Sequence, residues 1–257
     1  MSNYPETNKD LEPKAVSGQV RVNVHIAAEK PWVTYVMVAL CVVVFAAQQI
    51  SLSLTGVDLP LALGAKSNPL IAAGQFWRLF TPMLLHGSLL HIGFNMYALV
   101  IIGRGLEQHY GHMRFLLLYL VGGFAGNVVS FYLSPNPSVG ASTAIFGMIS
   151  AEAVFIFQNR QLFGNRARNM LMSIGMVLLV NLGLGLTPGS MIDNWGHLGG
   201  LLGGLAFSWA AGPIYEVIGL APELTLRDKR SRMAAWQVAA AIAVVLTALV
   251  VLRLLTP

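Results

Sequence analysis

The fold class this sequence predicts is an all-α polytopic membrane protein, and three observations predict it. Of the 257 residues, 55% are hydrophobic and 11% charged, whereas a water-exposed globule carries about 25% Asp, Glu, Lys and Arg. Mean hydropathy is +0.64. The apolar residues gather into seven stretches of roughly 17–21 residues, each close to the ~20 that an α-helix needs to cross the hydrocarbon.

The seven stretches lie near 32–50, 86–102, 115–133, 141–157, 170–186, 195–214 and 234–252. About thirty polar residues of both charge signs precede the first, so it reads as a full crossing rather than a cleaved signal, with 1–31 as a mobile tail. Connection 51–85 is too apolar for a solvated linker. It is expected to lie in the interface beside the bundle, with Trp77 and Arg78 at headgroup level. The basic residues then set orientation. Lys9, Lys14, Arg21, Lys30, Arg104, Arg114, Arg160, Arg166, Arg168, Arg227, Lys229, Arg230 and Arg232 fall on one side, and Lys66, Arg78 and Arg253 on the other. Because cytoplasmic loops retain Lys and Arg, the N-terminus is expected in the cytoplasm and the C-terminus outside, in a bacterial plasma membrane. The net charge of +5 therefore records topology and contact with membrane lipid, not a nucleic-acid surface. Cys41 stands alone in an apolar run, which leaves no disulfide framework and no Cys-based metal site.

Polar side chains inside spans are costly and point to function or to buried pairing. His86, His91 and Asn95 fall in the second stretch, the last two four residues apart and so on one helix face. Ser142 opens the fourth stretch, and His197 opens the sixth. All three stretches run from outside to inside, which puts a serine, an imidazole and two further hydrogen-bonding side chains in the outer leaflet. That is the inventory of a nucleophile, a general base and an oxyanion hole. Small residues repeat every four positions as Gly196, Gly200 and Gly204 and as Thr143, Gly147 and Ala151, a spacing that lets backbones touch in lipid.

Three segments carry a resemblance: His86-Gly-Ser-Leu-Leu-His91-Ile-Gly-Phe-Asn95, Gly140-Ala-Ser142, and His197-Leu-Gly-Gly200-Leu-Leu-Gly-Gly204. In order and combination they resemble the signatures of rhomboid intramembrane serine proteases, over about 32–214. Trp77-Arg78 is similar to that family's first-loop motif, and Glu107 matches in the connection after the second span. The resemblance implies a rhomboid-like six-helix bundle with one additional C-terminal transmembrane helix. The chain would divide into a tail (1–31), a catalytic core (32–214), a basic cytoplasmic loop (215–233) and a seventh helix (234–257). It further implies a Ser–His dyad without a third acid, Ser142 as nucleophile and His197 as general base, and an oxyanion held by His91, Asn95 and the Ser142 amide. The remaining positions, Gly140, Phe146, Gly147, Gly200, Gly204, Trp77, Arg78 and Glu107, would be structural. Clients would be single-span membrane proteins cut near their outer end, with no cofactor. Two departures stand out: Thr143 follows the nucleophile where the family commonly has glycine, and Gly196 stands where alanine is common.

A carboxylate partner for His197 would be expensive in lipid, so packing against Phe146, one turn below Ser142, is the expected means of orienting its ring. The zinc and aspartyl alternatives lack their motifs, since no H-E-x-x-H occurs and Asp58 and Asp193 lie in loops. A site built from His86, His91 and His197 would leave Ser142 and Asn95 without a role. Glu152, deep in the fourth stretch, keeps a different class open: a transporter or channel, or an inactive rhomboid-like binder. Glu107 is expected to tie its turn to a neighbouring span end together with Arg104.

Overall fold

The computed structural model describes residues 30–220 and 223–256; the expected tail and its Lys9, Lys14 and Arg21 lie outside that range. Among these residues ten α-helices and one hairpin follow in order: α1 (Trp32–Thr55), α2 (Leu59–Gly64), α3 (Asn68–Ala72), α4 (Leu89–Tyr110), α5 (His112–Leu133), α6 (Ser142–Gln158), α7 (Arg160–Phe163), α8 (Arg166–Gly185), α9 (Asn194–Ala211), β1 (Tyr215–Leu220), β2 (Glu223–Asp228) and α10 (Arg232–Leu255). Each of the seven apolar stretches falls on one long helix. Five of these, α1, α4, α5, α8 and α10, are long and apolar enough to cross a membrane. The chain is an all-α polytopic membrane protein apart from the hairpin.

The two long helices outside those five, α6 and α9, are the ones that begin with Ser142 and just before His197. At 17 and 18 residues they run about 25–27 Å, short of the ~30 Å hydrocarbon thickness.

Helix α5 is the central element, with 72% of its apolar window buried, against 6% for the peripheral α8. Its glycines explain why. A Cβ on Gly122 would stand 3.2 Å from the Gly147 Cα, one on Gly199 of α9 2.7 Å from the Ala125 carbonyl, and one on Gly204 2.1 Å from the Gly147 carbonyl. Backbones of α5, α6 and α9 thus meet directly, by close approach of the kind that drives helix association in lipid. The two small-residue stripes meet at Gly200 against Thr143 and at Gly204 against Gly147, and α5 joins them through Gly122 and Gly126. Helix α10 covers the outer side of α5, where Leu246 and Val250 pack with Phe124 and Val128.

Four expectations need correction. His86 precedes α4 rather than lying in it, because Ser88 is the N-cap and its Oγ accepts the His91 amide at 3.1 Å. Residues 215–233 are not simply a basic loop: the alternation along Tyr215–Leu220 and Glu223–Asp228 pairs the two strands antiparallel, Val217 opposite Leu226. Arg114 anchors the hairpin by donating to Asp228 at 2.7 Å. Arg78 is not a headgroup anchor. It is 3% exposed and donates to the Ala65 and Ala62 carbonyls at 2.7 and 2.8 Å, satisfying the end of α2. Glu107 does tie a span end, but not with Arg104. Its carboxylate accepts the Val33 and Thr34 amides at 2.8 Å each, capping α1, and pairs with His112 Nδ1 at 2.6 Å.

Candidate active site

Ser142, His91 and His197 occupy the first turns of α6, α4 and α9, so one end of the bundle gathers all three. Ser142 Oγ lies 2.9 Å from His197 Nε2, within the reach that proton transfer requires. The His197 ring stacks on Phe146, with centroids 4.1 Å apart and planes 12° from parallel. Its Nδ1 is buried without a hydrogen-bond partner among the described residues. The ring is therefore oriented by an aromatic face on one side and the serine on its edge, as the cost of a buried acid suggested.

Position along α9 is fixed by Asp193. Its Oδ1 accepts the Gly196 amide at 2.9 Å as the N-cap, and Oδ2 accepts the Ser130 hydroxyl from α5. Gly200 then seats α9 on α6, because a Cβ there would stand 2.0 Å from the Thr143 carbonyl oxygen. Thr143 fits in place of a glycine because its neighbours are glycines. A Cβ on Gly126 would be 2.5 Å from Thr143 Cβ, and one on Gly196 would be 3.1 Å from its Cγ2. The two departures from the family pattern are thus complementary: the added methyl occupies space that an alanine at 196 would take.

Gly140 turns the chain toward Ser142 at φ 128°, a conformation that favours glycine. A Cβ on Gly140 would lie 2.8 Å from His91 Nε2 and 3.5 Å from Ser142 Oγ, so both atoms border one small space. His91 Nδ1 accepts the Gly87 amide at 3.3 Å, which assigns the ring proton of a neutral imidazole to Nε2, facing that space. Ala141, the N-cap of α6, offers no side-chain cap, and the first-turn amides of a helix have no intrahelical acceptor. The Ser142 N–H is therefore an open donor beside its own hydroxyl. Asn95 lies one turn along α4, 7% exposed, donating to the His91 carbonyl at 2.9 Å.

The loop leading into Ser142 is strapped from connection 51–85, a role the sequence reading did not assign. Lys66, 0% exposed, donates to the Ser134 and Asn136 carbonyls at 2.7 and 3.0 Å, and its backbone bridges Ser138. Burial pushes its ammonium down from 10.5 to about 8, against the opposing charge of Asp193. Asn68 donates to the Phe131 and Ser134 carbonyls, and the Pro82 carbonyl accepts the Gly140 amide. Trp77 is half-exposed and donates to the Leu63 carbonyl at 2.9 Å. A lysine so near apolar Leu61–Leu63 was the available signal. Glu152 lies off this site on α6, with no hydrogen bond among the described residues.

Comparison with known proteins agrees with this architecture. A family model described as "Rhomboid domain" matches residues 73–214. Rhomboid protease GluP of Bacillus subtilis (strain 168) is 43% identical over 183 residues, covering 71% of this chain and 35% of that protein. RHOMBOID-like protein 5 of Arabidopsis thaliana is 34% identical over 183 residues, covering 68% and 58%. RHOMBOID-like protein 9, chloroplastic, of the same plant is 34% identical over 160 residues, covering 62% and 37%. The chain thus spans between 35% and 58% of the length of these relatives. With the family model matching more than half of its length and the glycine-packed bundle beneath it, this multi-pass membrane chain belongs to the rhomboid family.

Proposed function

We propose that this chain is an intramembrane serine endopeptidase that cuts single-span membrane proteins near their outer end, using Ser142 and His197 as a dyad. The observation that carries the reading is the 2.9 Å Ser142–His197 hydrogen bond, set beside an uncapped helix start. In this mechanism Ser142 Oγ attacks the scissile carbonyl while His197 Nε2 takes its proton. The resulting oxyanion is held by the Ser142 amide, His91 Nε2–H and Asn95. His197 then passes the proton to the leaving amine, and water hydrolyses the acyl-serine by the same route in reverse roles. A helical client hides its carbonyls, so it must unwind locally before attack.

The unit performing this is taken as 32–214, with 215–233 as a cytoplasmic connection and 234–257 as a further span. The N-terminus is assigned to the cytoplasm of a bacterial cell and the C-terminus to the outside, on the distribution of Lys and Arg. The test is cleavage of a tagged single-span client by purified protein in liposomes. Ser142→Ala and His197→Ala should each abolish it, and the double variant should be no worse, since the pair acts as a unit. Cleavage at the wild-type rate by Ser142→Ala would overturn the reading.

A further inference from the structure

At the end of α6 opposite Ser142, a cavity of about 1050 Å³ opens between α6, α7 and α8. Its lining includes Arg160, Arg168 and four carboxamides, and no Asp or Glu. Phe157, Leu171 and Met172 give the same lining an apolar part. Arg160 sits over the Phe157 ring at 5.3 Å, and neither arginine has a carboxylate partner among the described residues. Two guanidiniums sharing a cavity without a carboxylate from the described residues suit an anion, and their forked donors match phosphate oxygens. A phosphate alone accounts only for the polar lining residues. Apolar side chains continuing along a membrane helix from a basic pocket fit the acyl chains of the same molecule.

We propose that this cavity binds an anionic phospholipid, its phosphate between Arg160 and Arg168 and its chains along Phe157, Leu171 and Met172. Arg160 belongs to α7 and Arg168 to α8, so one phosphate joins the end of the nucleophile-bearing α6 to a helix that is otherwise hardly buried. The proposal rests on the membrane placement of the chain and is independent of the protease reading.

Trp209 is a local reporter, because its ring stacks on Phe157 with centroids 6.0 Å apart. The full chain is reconstituted in neutral phosphatidylcholine containing a small fraction of either brominated phosphatidylglycerol or brominated phosphatidylcholine. Quenching assigned to Trp209 is the difference between wild type and Trp209→Phe. It should be greater for the brominated anionic lipid in wild type and fall to the neutral-lipid level in Arg160→Gln/Arg168→Gln. Unchanged melting temperature verifies that this variant is folded. Equal quenching by both lipids in wild type, or an excess that survives in the double variant, would overturn the proposal. Loss of the excess on adding soluble glycerol phosphate would show a site for free phosphate and overturn the lipid assignment.

Discussion

Replacing Gly200 with alanine places a methyl carbon 2.0 Å from the Thr143 carbonyl oxygen and 2.8 Å from its carbonyl carbon. Both are backbone atoms of α6, so no side chain can rotate out of the way. Reaching even a 3.0 Å contact requires α6 and α9 to part by about 1 Å, an overpacking that typically costs about 1–3 kcal/mol. One turn along, the 2.9 Å Ser142–His197 hydrogen bond opens toward roughly 4 Å, outside the ~2.6–3.2 Å reach of proton transfer. A misplacement of that size lowers turnover by about 10²-fold. The assay is client cleavage per folded molecule alongside the melting temperature in the same detergent. Gly175→Ala on α8 is the control, since a Cβ there meets nothing within 4 Å; it should leave turnover unchanged and the melting temperature no lower. Wild-type turnover and stability in Gly200→Ala would refute the claim that backbone contact between α6 and α9 sets the dyad.

Further expectations concern the surrounding scaffold. Asn95→Ala and His91→Ala should each slow cleavage by about 10²–10³ with client binding nearly intact; unchanged turnover with lowered stability would make them packing residues only. Glu107→Ala leaves the Val33 and Thr34 donors bare, at about 1–3 kcal/mol for each buried group, read as a lower melting temperature that Glu107→Gln partly restores. Lys66 binds its proton less tightly in the fold than in the unfolded chain, at about 8 against 10.5. Its contribution to stability therefore rises as pH climbs from about 8 to 10.5 and is lost as pH falls back through 8. Melting of wild type relative to Lys66→Met across that window checks the sign. A reporter active only in the cytoplasm should work when inserted between Asp228 and Arg232 and be silent at the C-terminus; activity at both places would mean that α10 does not cross.

Much of this was legible because lipid makes polar atoms and small residues conspicuous. Ser142, His91 and His197 stand out as hydrogen-bonding groups in apolar runs, and four-residue glycine spacing identifies the helix faces that meet. The Phe146–His197 stack followed from the cost of a buried acid. What escaped was set by tertiary partners. Arg78 and Lys66 read as surface cations, since an apolar neighbourhood in sequence does not say which distant carbonyls a guanidinium or ammonium will meet. The glycines of α5 carry no regular four-residue stripe beyond Gly122 and Gly126, and their role shows only once Gly147 and Thr143 face them. The hairpin escaped because six-residue strands in a charged connection give a short, weak alternation next to strong apolar periods.

The most direct test of the account is where a fluorophosphonate probe attaches to the purified chain, read by intact mass and peptide mapping. The account predicts one adduct on Ser142 in wild type, none in Ser142→Ala, and a greatly slowed adduct in His197→Ala. Equal labelling of Ser142→Ala, or an adduct mapped to another residue in wild type, would contradict it.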